Sequence, residues 1–232
     1  MDEKVYILFA GVNGAGKSTL YHSDIGDYLK FCNWETLQKM QRVNLDEIVK
    51  KIGDWKNIDD VVKAGKMSIR QIKSYFEKGN SFCQETTLCG RDILKNINIA
   101  KTKGYKVELL YVGLENAEIA KERVKERVKK GGHGISDEDI ERRYDKSLQN
   151  LKEVLVQCDS AVFIDNTYEF RPFARYDGNN LKLIYRQEEV PNWFKNHICI
   201  FEKERKIDPL STETKKRNKN KLPNGPGGHD GR

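Results

Sequence analysis

Short apolar runs rich in β-branched and aromatic residues recur along the chain at Val5 to Val12, Ser81 to Leu88, Lys106 to Leu114, Ser160 to Asp165 and Leu181 to Tyr185. Each is bounded by polar or glycine-containing segments and reads as a strand. Longer stretches between them carry apolar residues at helical spacing. One follows Lys17, and others run from Ile69 to Lys78, Arg91 to Lys103, Ala117 to Lys130 and Asp137 to Gln157. The last of these opens on Ser136 with Asp139 three residues on, the pattern of a capping box. Strands alternating with helices predict an α/β fold of three layers around a largely parallel sheet. Between the last two helices, Gly131-Gly132-His133-Gly134 breaks the periodicity and predicts a hinge-like turn within a helical lid.

Beyond Phe201 the periodicity ends, and Leu222-Pro223-Asn224-Gly225-Pro226-Gly227-Gly228 is a composition unable to bury apolar surface. The expected organisation is one folded domain over 1–201 and a basic, disordered tail over 202–232. At 232 residues with 38% hydrophobic content, the chain can build one sizeable core. Mean hydropathy is -0.74, and no apolar run approaches the roughly 18 residues of a membrane span. The first residues, Met1-Asp2-Glu3-Lys4, lack the basic start of a secretory signal, so a cytoplasmic location is expected. Five cysteines, odd in number and scattered, suit reduced core thiols better than a disulfide framework or a zinc site.

Net charge is +7. Nine basic and five acidic residues from Glu202 to Arg232 place +4 of it in the tail, so the folded part is only mildly basic. Phosphate-bearing ligands fit that balance. The remaining charge reads as a solvated tail, or as a nonspecific nucleic-acid contact through Lys215-Lys216-Arg217, and no nucleic-acid-binding module stands beside it.

The strongest chemical signal is Gly11-Val12-Asn13-Gly14-Ala15-Gly16-Lys17-Ser18, which fits G-x-x-x-x-G-K-[ST] without a gap, directly after an apolar run and before a helical one. Glycines let the backbone wrap phosphate oxygens, Lys17 can reach the β- and γ-phosphates, and Ser18 can ligate magnesium. Gly11, Asn13, Gly14, Ala15, Gly16, Lys17, Ser18 and Thr19 are therefore the predicted site for ATP with Mg2+. A loop of this kind shows nucleotide binding and leaves the acceptor open.

Other residues bear on the reaction. Asp46, in Asn44-Leu45-Asp46-Glu47-Ile48, is a candidate general base for an attacking hydroxyl. The same residues also read as an Asn44 helix cap followed by ordinary first-turn acids. Gln84-Glu85-Thr86-Thr87 ends the second apolar run, where parallel sheets place ligand contacts, or else is a β-rich strand end leading into a turn. Arg123, Arg127, Arg142 and Arg143 flank the glycine-rich break and are candidates to stabilise a transferring phosphate, or to be solvated helix charges. His133 is a candidate phosphate contact or a plain loop residue. Asp165 reads as a magnesium-binding acid or as a strand-ending turn, with Asn166 and Thr167 suited to a base pocket.

Taken together, the loop Gly11 to Thr19, Asn44-Leu45-Asp46-Glu47-Ile48, Gln84-Glu85-Thr86-Thr87, Gly131-Gly132-His133, Arg142-Arg143-Tyr144, Ser147-Leu148-Gln149-Asn150-Leu151 and Asp165-Asn166 resemble the zeta toxin family over roughly residues 4 to 170. The resemblance implies a P-loop kinase that phosphorylates the sugar 3'-hydroxyl of UDP-N-acetylglucosamine, often with an antitoxin partner covering the ATP site. Carried to this chain, it gives Lys17 to phosphate, Ser18 to magnesium, Asp46 to the base, Glu85 with Thr87 (and Thr86 beside them) to the acceptor, and Arg127 to the transferred phosphate. A second phosphate-facing arginine is expected near His133, and Arg142 and Arg143 are the candidates for it. The Gly-Gly-His lid is similar to a stand-alone branch of the family also described as a predicted ABC-type ATPase. The alternative functions are therefore an ATPase, or a kinase acting on another nucleotide, a nucleoside or a nucleic-acid end.

Overall fold

The computed structural model describes residues 3–22, 34–184 and 186–198. The expected tail over 202–232, together with Cys32 and Cys199, lies outside them. Among the described residues, strands β1 (Val5–Ala10), β2 (Gln41–Val43), β3 (Phe82–Thr86), β4 (Lys106–Gly113), β5 (Ser160–Asp165), β6 (Arg171–Tyr176) and β7 (Leu181–Leu183) form one sheet in the order β2-β3-β1-β4-β5-β6-β7. The strands from β2 to β5 are mutually parallel, whereas β6 and β7 add an antiparallel edge. From its second residue on, β1 is buried without alternation, and β5 likewise. A strand buried at successive positions has both faces covered, which is the signature of helices on either side of a parallel sheet.

Helices α1 (Lys17–Tyr21), α2 (Trp34–Lys39), α3 (Leu45–Ile52), α4 (Ile58–Lys78), α5 (Asp92–Thr102), α6 (Ala117–Lys129), α7 (Asp137–Leu155) and α8 (Asn192–Ile198) supply that cover. Ser136 caps α7, accepting from the Asp139 amide at 3.2 Å, as its sequence pattern implies. No described helix is long and apolar enough to cross a membrane.

The sequence reading and the structure differ in several elements, α2 and α8 among them. Strand β2 has only three residues and carries no periodic signal. Strand β6, interrupted by Pro172 and two arginines, escaped the apolar pattern, and Leu181 to Leu183 pairs with it antiparallel rather than extending the parallel set. Helix α4 begins at Ile58 instead of Ile69, because Ile58 and Val62 are 77% and 49% exposed and blur the amphipathic pattern. Asn57 caps this helix through its side chain.

Register decides where chemistry can occur. Ala10 aligns with Thr86 and Tyr111, Val43 with Gln84, and Gly113 with Asp165. The carboxyl ends of these strands therefore meet at one edge. Gly11 N donates to Thr86 O at 3.2 Å and Asn166 N to Gly113 O at 2.9 Å, extending the pairing just past that edge. The strand ends at that edge and the loops and helices that follow them hold the residues singled out above.

Candidate active site

The glycine-rich loop joins β1 to α1 and puts Lys17 in a crevice with 8% of its surface exposed. Its ammonium donates to Gly11 O at 2.7 Å and Val12 O at 3.2 Å, across the mouth of its own loop. Burial lowers its pKa, and the Glu85 and Asp46 carboxylates oppose that shift. Ser18 and Thr19 are exposed in the first turn of α1, where a hydroxyl can meet an incoming cation.

The loop is braced from across the sheet. Asn166, buried at the end of β5, donates its side-chain amide to Ala15 O at 2.9 Å. At Gly16, φ is +88° and an added Cβ would lie 2.6 Å from that same amide and 3.1 Å from the Phe170 ring. Only glycine fits that left-handed position so close to its brace.

Glu85 is the second fixed point. One oxygen lies 3.9 Å from Lys17 Nζ, and the other accepts from Arg42 and, at 2.7 Å, from Asn44 Nδ2. The Arg42 side chain is 6% exposed; it also pairs with Glu47 at 2.9 Å and covers the Tyr21 ring at 3.9 Å. Asn44 serves two elements at once. Its Oδ1 caps α3 by accepting from the Asp46 and Glu47 amides, at 2.8 and 3.3 Å, while its Nδ2 holds Glu85. The cap and the candidate base are thus compatible: capping fixes the turn from which Asp46, half-buried, acts electrostatically on both Lys17 and His133.

After β3 the chain turns sharply. Leu88 is buried at φ 58°, a conformation unusual for a branched side chain. Its amide donates to Thr86 Oγ1 at 3.0 Å and its carbonyl accepts from Asn150 of α7 at 2.6 Å. Thr86 is committed to this turn, and Thr87 stands half-buried beside it.

The arginines separate clearly. In Arg127, at the end of α6, Nε and Nη2 are buried without a hydrogen-bond partner among the described residues, and its charge acts on Lys17 and His133. Buried guanidinium donors left open in this way suit an incoming phosphate. Arg143 reaches the glycine-rich loop, donating to Asn13 Oδ1 at 3.3 Å. Arg142 is not brought to the site: it is 65% exposed and pairs with Asp139 on its own helix at 2.6 Å. His133 stacks on Trp55, with ring centroids 3.9 Å apart and planes 18° from parallel. Burial lowers the His133 pKa, Asp46 raises it, and Arg127 and Arg143 lower it again.

Asp165 Oδ1 accepts from Trp193 Nε1 at 2.9 Å and Thr167 Oγ1 at 2.8 Å, anchoring α8 and the loop after β5. Arg123 donates to Thr167 O at 3.0 Å, and a cavity of about 410 Å³ lined by Glu115, Thr167, Tyr168 and Asn192 opens beside that loop. Sequence reasoning missed Arg42 and Trp55. The first lies on a strand too short to show a pattern, and the second is a lone aromatic in a polar connection.

Comparison with known proteins bears on the family and the fold. A family model described as Zeta toxin matches residues 2–171. An uncharacterized protein of Haemophilus influenzae is 31% identical over 138 residues, which cover 60% of this chain and 91% of that protein. Among solved structures, the PezAT chromosomal toxin-antitoxin system of Streptococcus pneumoniae superposes with a TM-score of 0.55 at 16% identity, over 74% of this chain and 71% of that one. AvrRxo1-ORF1, in complex with AvrRxo1-ORF2 and sulphate ions, gives a TM-score of 0.59 at 15% identity over 78% of this chain; the match spans 61% of that chain. The same pair with ATP gives 0.57. These distant structural likenesses speak to the P-loop kinase-like fold. The family match, which spans most of the chain and every residue assembled above except α8, carries the assignment: the chain belongs to the zeta toxin family.

Proposed function

We propose that this chain is an ATP-dependent phosphotransferase that moves the γ-phosphate of ATP to a hydroxyl of a nucleotide sugar, with UDP-N-acetylglucosamine as the leading acceptor. The observation that carries the reading is the convergence of Lys17, Glu85, Asp46 and the open guanidinium of Arg127 at one edge of the sheet. The acceptor oxygen attacks the γ-phosphorus, the bond to the β-phosphate oxygen breaks, and the acceptor proton passes to Asp46. Lys17 and Arg127 face the charge that spreads over the transferring group. Glu85, held by Arg42 and Asn44, and Thr87 offer acceptors and a hydroxyl to the sugar. His133, coupled electrostatically to Asp46 and Arg127, would contact the acceptor or the phosphate.

ATP would lie along the glycine-rich loop, with its base toward Arg123 and Thr167. Ser18 has the oxygen donor that magnesium prefers, and it would hold the ion together with phosphate oxygens. The ion, when bound, neutralises phosphate charge. A protein partner belongs to the proposal as well. PezAT is a toxin-antitoxin system and AvrRxo1-ORF1 is bound to AvrRxo1-ORF2, so an antitoxin over the Lys17 crevice would silence this chain.

The test is to incubate the protein with Mg-ATP and a panel of UDP-sugars, nucleosides and dinucleotides, and to identify phosphorylated products by mass spectrometry beside Asp46→Asn. A phosphorylated UDP-sugar made by the parent alone supports the reading. ATP consumed with no phosphorylated acceptor overturns it in favour of an ATPase.

A further inference from the structure

We propose that Trp55 is a positioning residue for Arg127: stacked on His133, its indole clasps the turn after α6 to the connection after α3 and so holds the arginine beside Lys17. The proposal rests on the phosphotransferase reading, because it assigns Arg127 to the transferring phosphate.

The clasp joins the two halves of the reaction. Trp55 lies just beyond α3, whose first turn carries Asp46, the candidate base. His133 lies just beyond α6, whose last turn carries Arg127. Their rings stack at 3.9 Å and 18°. One residue before His133, the Gly132 amide donates to Arg127 O at 2.8 Å. A Cβ at Gly132 would lie 2.5 Å from Arg127 Cγ and 2.9 Å from its carbonyl oxygen. The stem of Arg127 and the position of His133 are therefore one packed unit, and displacing the imidazole displaces the arginine.

Hydrogen bonds at the guanidinium Nε and Nη2 do not do this job. Arg127 Nε and Nη2 have no partner among the described residues, so nothing at those atoms aims the guanidinium. Trp55 Nε1 is also buried with no partner among the described residues, so the indole is held by packing against the core and by ring contact. Offset stacking of two flat rings fixes separation and tilt together, and a small loss of placement at a charge-stabilising group has a large effect on transfer.

The test compares binding of Mg-ATP with binding of Mg-ADP-aluminium fluoride, a mimic of the transferring phosphoryl group, by titration calorimetry, which needs no knowledge of the acceptor. Trp55→Ala is expected to leave Mg-ATP affinity within about twofold and to weaken the fluoride complex about tenfold, the cost of a loosened charge contact. Trp55→Phe, which keeps a flat ring, is expected to restore most of that loss. Arg127→Ala is expected to lose at least as much, and the double variant no more than Arg127→Ala alone, because the tryptophan acts through the arginine. Circular dichroism establishes that each variant is folded. Parental affinity for the fluoride complex in Trp55→Ala, equal losses for both ligands, failure of phenylalanine to restore, or losses that multiply in the double variant would each overturn the proposal. A parent protein that binds neither ligand would sink the phosphotransferase reading itself, and the clasp with it.

Discussion

Asp46 and Arg127 make opposite demands on their surroundings, and substitution separates them. Asp46→Asn keeps the shape and the cap of α3 but removes the proton acceptor. Phosphoryl transfer is expected to fall by about 10²- to 10⁴-fold with Mg-ATP binding retained, measured by product mass spectrometry and calorimetry. Arg142 and Arg143 are neighbours in sequence with different fates. Arg143→Ala removes a contact to Asn13 and is expected to slow turnover, whereas Arg142→Ala breaks only an exposed pair and is expected to change rate and stability little. His133 sets a pH dependence whose sign follows from its lowered pKa. The unfolded chain takes up the proton first, so His133 contributes stability above its ordinary value of 6.5 that is lost as pH falls through the lower folded value. Thermal melts of the parent are therefore expected to fall more steeply than melts of His133→Gln as pH drops from 6.5 towards the lower folded value.

At the scale of elements, Asn44 is the joint between α3 and β3. Asn44→Ala removes both a cap and a partner of Glu85, and is expected to cost about 1 kcal/mol through the cap and further through the uncovered carboxylate, read by denaturant unfolding. Four of the five parallel strands, all but β2, are legible in the sequence because continuous burial requires continuous apolar runs, as in Tyr6 to Ala10 and Ala161 to Ile164. The glycine-rich loop was legible because its conformation admits few residues. What escaped depends on contacts between distant segments. Arg42 gains meaning only when β2 aligns beside β3, and Trp55 only when the α6–α7 turn is laid against it. The cap reading of Asn44 is observed, and it is compatible with the base role proposed for Asp46, since a cap and a site can share one turn. The two readings of Asp165 stay level in the sequence because a strand-ending carboxylate looks the same whether it faces a ligand or an indole.

At the scale of the molecule, the residues assembled into the site run from Gly11 to Asn166. Removal of residues 202–232 is therefore expected to leave nucleotide affinity and transfer unchanged, a comparison that also separates a role for the basic tail from the chemistry of the domain. Register has a practical corollary. Because every strand from β2 to β5 delivers its carboxyl end to one edge, the amino-terminal ends at Val5, Phe82, Lys106 and Ser160 lie on the opposite side of the sheet. That side offers a handle for surface attachment. Lys78, exposed at the end of α4, leads into β3 from there, and a dye or immobilising tether at this residue would leave the crevice open to nucleotide, acceptor and partner alike.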